Sequence, residues 1–229
     1  MEHRHYLASL FEPRSVAVIG ATERPDAVGH FVMRNLLGHS YQGKVFAINP
    51  NRDSIHGLLA HPDIESLPST PEVAIIATPA HTVAELLRAC GRKGVKFAVV
   101  YSGGFAEIGA AGLDAQRELD AALRDSGVRI LGPNGLGTVR PALGYDCSIG
   151  HGQVARGNLA LVSQSGTLCN AIIDWAKVNR IGFSNIITLG SSLDVDVGEA
   201  LDYLINDSQT AGILIYLEGV SHARRFISA

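Results

Sequence analysis

SVAVIGATERPDAVGHFVMRNLL, residues 15–37, reads as a strand, a turn and a helix in one short stretch. It opens with a run of small and branched apolar residues, the pattern of a strand buried on both faces. Gly20 ends that run, and a polar turn carries the chain to Gly29. From there apolar residues recur at helical spacing as far as Leu37. Strands covered on both faces belong to parallel sheets under helices, so this stretch points to an α/β fold.

The alternation continues outward. Strand-like runs stand at 44–49 (KVFAIN), 73–77 (VAIIA), 95–101 (VKFAVVY) and 128–131 (VRIL), with helix-like stretches at 81–92 and 111–125. This is the pattern of a doubly wound sheet. From 132 to about 157 it lapses into GPNGLGTVRPALGYDCSIGHGQVARG, rich in Gly, Pro and polar residues, which reads as an interdomain connection. It restarts with strand NLALVS, helix TLCNAIIDWAKVN, strand SNIITLG, helix VGEALDYLIN, strand GILIYLE and a last helix start, SHARRFISA. The expected organisation is a first domain over 1–137, a connection over 138–156 and a second α/β unit over 157–229. That second unit shows three strands where an open parallel sheet usually has more, so it reads as incomplete.

The totals describe a globular chain. Of 229 residues, 46% are hydrophobic and 18% charged, enough for a substantial core. A net charge of −3 argues against nucleic acid or an anionic membrane as the main partner. Cys90, Cys147 and Cys169 form neither a CxxC pair nor an even disulfide set, and the first and last fall in helical patterns as core thiols. No metal-ligating cluster stands out. The opening MEHRHYLASLF lacks a signal-type apolar run and no stretch reaches membrane-spanning length, so a reducing cytoplasm is the expected setting.

Candidate sites lie where strands end, because open α/β sheets bind ligands at the carboxyl ends of their strands. The first turn, Gly20, Ala21 and Thr22, is not GxGxxG, and its loop is longer than that fingerprint allows. Its free N–H groups at a helix start still suit a phosphate. An NAD site would need an acid after the second strand. Asn49, Pro50 and Asn51 stand there instead, with Arg24, Lys44 and Arg52 nearby in sequence. Cations suit a ligand carrying extra phosphate; otherwise they are solvated surface charges. An NAD-binding oxidoreductase domain remains the alternative from another class. Ser102, Gly103, Gly104 and Phe105 make a further small-residue strand end, where glycine permits close backbone approach or merely a turn.

Ser163-Gln164-Ser165-Gly166-Thr167 admits three readings. Ser165 or Thr167 caps the helix that follows. Or Ser165 is a nucleophile at an elbow, with Asp194 or Asp196 and then His222 in hydrolase order, although Ser163 stands where a sharp elbow needs glycine. Or Ser165, Gly166 and Thr167 seat an anion on hydroxyls and helix-start N–H groups. The third reading is preferred. Glu218, after strand GILIYL, would emerge at the same edge or be a plain surface glutamate, and Asn134 in GPNGLG is a phosphate donor or a turn residue tolerating positive φ.

In order along the chain, SVAVIGAT, INPN, SGGFAE, GPNGLG, LVSQSGTL, DWA, LGSSLDVD and YLEGV resemble the succinyl-CoA synthetase α-subunit superfamily. Within it, the closer resemblance is to the NDP(ADP)-forming acyl-CoA synthetases. The resemblance covers essentially the whole chain. It implies a Rossmann-like CoA-binding domain followed by a truncated flavodoxin-like parallel α/β domain. Gly20, Ala21, Thr22, Lys44, Asn49, Pro50 and Ser102 to Phe105 would then surround CoA or acyl-CoA. Ser165, Gly166, Thr167 and Asn134 would hold phosphate, and Glu218 would bond a phosphohistidine from beyond the chain, with NDP/NTP used by the complete enzyme. MRNLL, SLDVDV and SHARRFISA also resemble the synthetase-like region of bacterial GNAT-type protein lysine acetyltransferases, where such a region is a non-catalytic acyl-CoA sensor. The implied partners are the rest of the ligase domain and an ATP-grasp or acetyltransferase portion, with a homo-oligomer left open. The chain alone is expected to bind rather than turn over.

Overall fold

The structure is a computed structural model that describes residues 4–38, 40–150 and 152–228. His151 of the expected connection and the final Ala229 lie outside the described residues. A short helix α1 (Ala8–Phe11) precedes the first sheet. That sheet contains β1 (Ser15–Ile19), β2 (Lys44–Ile48), β3 (Ser54–Ile55), β4 (Leu58–His61), β5 (Val73–Ile76), β6 (Phe97–Val100) and β7 (Arg129–Leu131). Their order is β3-β4-β2-β1-β5-β6-β7, parallel throughout except for the β3–β4 hairpin. The strand order reverses between β1 and β5, which makes their carboxyl ends the topological switch point.

The period of two explains why the strand runs are apolar without a break. Val16 and Val18 of β1 face one core with α2 (Val28–Gly38), among Val32, Met33 and Leu36. Ala17 and Ile19 face the other core with α3 (Ala80–Lys93) and α4 (Leu113–Ser126), among Leu87, Cys90, Leu119 and Ala122. Both faces are covered, so both sets of side chains must be apolar. α3 stops at Gly94 and α4 at Gly127, each in the left-handed conformation that glycine adopts at a helix end.

The second sheet has five strands, not three. They are β8 (Thr138–Arg140), β9 (Tyr145–Asp146), β10 (Arg156–Ser163), β11 (Phe183–Thr188) and β12 (Gly212–Tyr216), in the order β12-β10-β11-β8-β9. β10 is parallel to both its neighbours, whereas β8 runs antiparallel to β11, and β9 to β8. Part of the stretch expected as a connection is therefore built into the second sheet. Strands of two or three residues among glycines and prolines are too short to show a period, which is why the sequence hides them. The helices are α5 (Gly166–Val178), α6 (Val197–Ile205) and α7 (Ala223–Ser228). All three cysteines are buried and free, Cys147 included.

Two guanidinium groups tie the halves together. Arg140 of β8 makes a bidentate pair with Asp207, at 2.6 and 2.9 Å, and reaches Glu12 of the N-terminal segment at 3.3 Å. Arg129 of β7 bonds Asp194 at 2.9 Å and Glu199 of α6 at 2.9 Å. Burial alone would raise the Asp207 carboxyl, but hydrogen bonds from Arg140, Thr210 and the Gln209 backbone hold it at about 2. Burial likewise works against Glu199, and Arg129, Tyr6 and Arg225 still keep it below its ordinary value.

Both carboxyls titrate lower when folded, so their stabilisation is present above their unfolded values and lost as pH falls. Stability should be level above about pH 5 and decline steadily from about pH 4 towards pH 2. Arg140→Ala leaves Asp207 buried beside no guanidinium and should cost about 3–5 kcal/mol. Urea unfolding across that pH range, on the native chain and the variant, measures both effects.

Candidate functional site

The first turn is shaped by two glycines. Gly20 has φ +88°, and a Cβ on it would stand 2.7 Å from the Ala77 carbonyl oxygen. A Cβ on Gly29 would stand 2.0 Å from the Gly20 carbonyl oxygen, so α2 lies directly on the turn. The N–H groups of Gly20 and Ala21 both donate to the Ile48 carbonyl, at 3.1 and 3.2 Å. Asn49 returns the contact, its Nδ2 donating to the Ala21 carbonyl at 2.8 Å. Gly20, Ala21, Thr22, Asn49 and Pro50 thus meet at the ends of β1 and β2.

The Ser102–Phe105 turn follows β6 along the same edge. A Cβ on Gly104 would stand 3.5 Å from the Ala80 Cβ, at the start of α3. Phe105 is buried in the core and anchors the turn. The Ser102 Oγ is buried without a hydrogen-bond partner. Its carbonyl accepts the Asn134 N–H at 3.1 Å, and a Cβ on Gly103 would stand 3.2 Å from the Asn134 Oδ1. Asn134 has φ +60°, so the turn role expected of it holds while its amide also faces the Ser102–Phe105 turn.

Lys44 is not brought to this edge. It begins β2, pairs in register with Ser15 at the start of β1, and lays its Nζ over the Phe46 ring at 4.6 Å. A strand rises about 3.3 Å per residue, so about 16 Å separate it from Asn49. The cations near the ligand edge are Arg24, in the first turn, and Arg52, just after Pro50; both are exposed.

In the second sheet the parallel register aligns Ser163 with Thr188 on one side and Tyr216 on the other. The turn after β10 therefore lies between the ends of β11 and β12. Ser163 is fully buried, and its Oγ donates to the Ser165 carbonyl at 2.8 Å while accepting the Ser165 N–H at 3.1 Å. Ser165 caps α5, its Oγ accepting from the Leu168 N–H at 3.3 Å. With φ −97° and ψ 118° it is ordinary extended backbone, not the strained elbow a nucleophilic serine needs. Asp196 and His222 do pair, at 2.9 Å, but Asp196 caps α6 and also holds Arg225, and no hydrogen bond joins Ser165 to His222 among the described residues. The Gly166 and Thr167 N–H groups make no hydrogen bond among the described residues and stay available at the helix start.

Gln164 is the residue the sequence reading passed over. Its Oε1 accepts the Glu218 and Gly219 N–H groups at 2.6 and 3.0 Å, and its Nε2 donates to the Gly219 carbonyl at 3.0 Å. It thereby fixes Glu218, which is exposed, beside the Ser165–Thr167 turn. Thr78 was also missed. It stands between β5 and α3, its Cγ2 2.9 Å from where a Gly20 Cβ would be. The signal was present in ATPAHT, a small-residue turn after a strand like the others.

Residues 132–137 link the two edges. A Cβ on Gly190 would stand 2.2 Å from the Pro133 carbonyl oxygen, and one on Gly166 2.8 Å from the Leu136 Cγ. Cavities of about 530 and 750 Å³ lie elsewhere, around Arg4 and Glu12, and contain none of these residues. Among the described residues no cluster of His, Cys, Asp and Glu could hold a metal, and no helix is long and apolar enough to cross a membrane.

The two strand edges correspond to two known domain families. The model described as CoA binding domain matches residues 14–141, and the one described as succinyl-CoA ligase like flavodoxin domain matches residues 156–229. The chain belongs to this CoA-binding, succinyl-CoA ligase-like family. It is 37% identical over 225 residues to the acetate–CoA ligase [ADP-forming] I subunit alpha of Pyrococcus furiosus, covering 96% of this chain and 49% of that one. It is 38% identical over 218 residues to acetate–CoA ligase [ADP-forming] I of Archaeoglobus fulgidus, covering 95% of this chain and 32% of that one. Among solved structures, the dinucleotide forming acetyl-coenzyme A synthetase 1 of Ca. Korarchaeum cryptofilum, in complex with phosphate and ADP, superposes with a TM-score of 0.93 at 37% identity. That match covers 98% of this chain and 48% of the synthetase, so the chain spans about half or less of these relatives.

Gln164→Ala removes three hydrogen bonds to residues 218 and 219. It should lower stability by about 1–2 kcal/mol and speed amide exchange at Glu218 and Gly219 while β10 and β11 keep their protection. Hydrogen-exchange NMR checks the local effect and thermal unfolding the global one.

Proposed function

We propose that this chain is the CoA- or acyl-CoA-binding portion of an ADP-forming acid–CoA ligase, and that its second edge seats the phosphate relayed in that reaction. The observation that carries the reading is the convergence of the Gly20–Thr22, Asn49–Pro50 and Ser102–Phe105 turns on one sheet edge, with no carboxylate among residues 49–52. The Ser102 Oγ, buried without a partner, is a polar atom that a bound pantetheine or diphosphate would satisfy. Arg24 and Arg52 take the phosphate role that Lys44 is too distant to play. Bound CoA supplies a thiol to accept the acyl group; the chain's residues hold and orient it.

At the second edge, the free N–H groups of Gly166 and Thr167 lie at the positive end of the α5 dipole and suit a phosphoryl group. Glu218, held by Gln164, would orient an imidazole carried by a segment outside this chain and stabilise its cationic form. Completing the reaction would need that segment and a nucleotide-binding portion. Because the relatives are ligases, the ligase context is favoured over an acyl-CoA sensor attached to an acetyltransferase.

Calorimetry with CoA, acetyl-CoA and NADH tests the first half. CoA should bind and NADH should not. Arg52→Ala should weaken CoA binding by about 1–2 kcal/mol, and Lys44→Ala should leave it unchanged. NADH binding without CoA binding would sink the reading.

Phosphate titration followed by amide NMR tests the second half. Resonances of Ser165 to Leu168 should shift, and the response should fall as salt screens the dipole. Shifts confined to Gly20–Thr22 would reduce the second turn to a cap.

A further inference from the structure

Glu107 follows the Ser102–Phe105 turn by two residues and folds back into it. Its Oε1 accepts the N–H groups of both Gly104 and Phe105, the second at 3.2 Å. A Cβ placed on Gly103 would stand 2.9 Å from that same oxygen and 3.2 Å from the Asn134 Oδ1. The carboxylate and the Asn134 amide therefore share one spot against the glycine, on the edge where ligand is expected. Glu107 makes no ion pair among the described residues, so two backbone dipoles are what hold its charge there.

A helix cap alone is a poor account of this contact. The 3₁₀ segment Ala106–Gly112 is broken at Gly109, where φ is +74° and ψ −145°. Ile108 is more than half exposed, and Gly109 and its neighbours lie open to solvent. The N–H groups that Glu107 occupies precede that segment and belong to the same turn as the unpartnered Ser102 Oγ. A glycine cradle of this kind, filled by a carboxylate from its own chain, is an oxyanion seat with a tenant.

We infer that Glu107 is an intramolecular stand-in for an oxyanion of the ligand, and that binding displaces its side chain from the two N–H groups. The inference rests on the CoA-ligase reading for the identity of the ligand. Its chemistry is that of an oxyanion, which the acid substrate carries as a carboxylate and CoA as a diphosphate. The exchange needs no proton transfer, because one anion leaves the two N–H groups as another arrives. Affinity is lowered by the fraction of molecules in which Glu107 holds the seat, so its removal must tighten binding.

The test uses the full chain, labelled for amide NMR, with acetate, inorganic phosphate and CoA as separate probes. At least one probe should shift the Gly104 and Phe105 resonances, and Glu107→Ala should make that response about three- to tenfold tighter. Glu107→Gln keeps an acceptor oxygen without the charge and should tighten it less; it carries the test if the alanine variant loses its cooperative thermal transition. A response to acetate alone assigns the seat to the carboxylate, and a response to phosphate and CoA assigns it to the diphosphate. Equal or weaker binding by folded variants, or unmoved Gly104 and Phe105 resonances with all three probes, overturns the proposal. If CoA shifts Gly20–Thr22 but neither Gly104 nor Phe105, the Glu107 proposal falls and the CoA reading stands. Tightening for acetate in a chain that binds no CoA gives the reverse.

Discussion

Close backbone contact between residues 132–137 and the end of β11 is the constraint on which the rest of the molecule depends. The Pro133 carbonyl comes so near Gly190 that a side chain there would have to occupy the same space. Gly135 is similarly placed, 3.1 Å from the Thr188 carbonyl oxygen by its absent Cβ. Backbone contact at this range leaves no room for water or for sliding. The segment also donates the Asn134 N–H to Ser102 and packs Leu136 on Gly166. One short turn thus touches the carboxyl edges of both sheets. Their ligand-facing turns are neighbours because the chain between them is too tightly packed to hold them apart.

Charge completes what the glycines begin. Arg129 and Arg140 each span the two halves and each satisfies two carboxylates, so neither buried acid is left without a cation. Such pairs gain little over apolar packing when intact and cost much when broken. Their contribution is to register: a rotation of one sheet against the other would part Arg129 from Asp194 and Glu199, and Arg140 from Glu12. Tyr203 and Tyr6 add hydroxyls to Glu12 and Glu199, at 2.6 and 2.8 Å, from opposite halves of the chain. Tyr6 and Glu12 are accordingly part of the interface, although nothing in the sequence around them marks them as such.

Legibility in the sequence followed the length of the signal. β1, β5 and β6 were readable because burial on both faces leaves an unbroken apolar run. β8 and β9 were not, since three and two residues carry no period and their neighbours look like a loop. Among site residues, small-residue turns after strands were found because their chemistry is local. Gly20, Asn49, Ser102 and Ser165 all emerge at strand ends. Lys44 was misplaced because nearness in sequence says nothing about which end of a strand a residue occupies. Gln164 and Glu107 escaped for a different reason. Each acts through backbone groups that only the folded register sets before it, past the end of the neighbouring strand β12 for Gln164 and across a glycine turn for Glu107.

On the proposed reading the two edges bind anions in different ways, and the difference follows from what each must release. On the first edge, exposed Arg24 and Arg52 offer charge in water, which attracts a polyanion at long range and lets it go without large cost. The second edge carries no lysine or arginine from Ser163 to Asp174, so N–H groups and a helix dipole are its attraction. A fixed cation there would bind phosphate in every state and would oppose a positively charged imidazole. Dipoles hold an anion without competing for the carboxylate of Glu218. On the proposed reading, a site that must accept a phosphoryl group from one partner and yield it to another needs that weaker, directional hold, and the sequence supplies it by placing small polar residues where a helix begins.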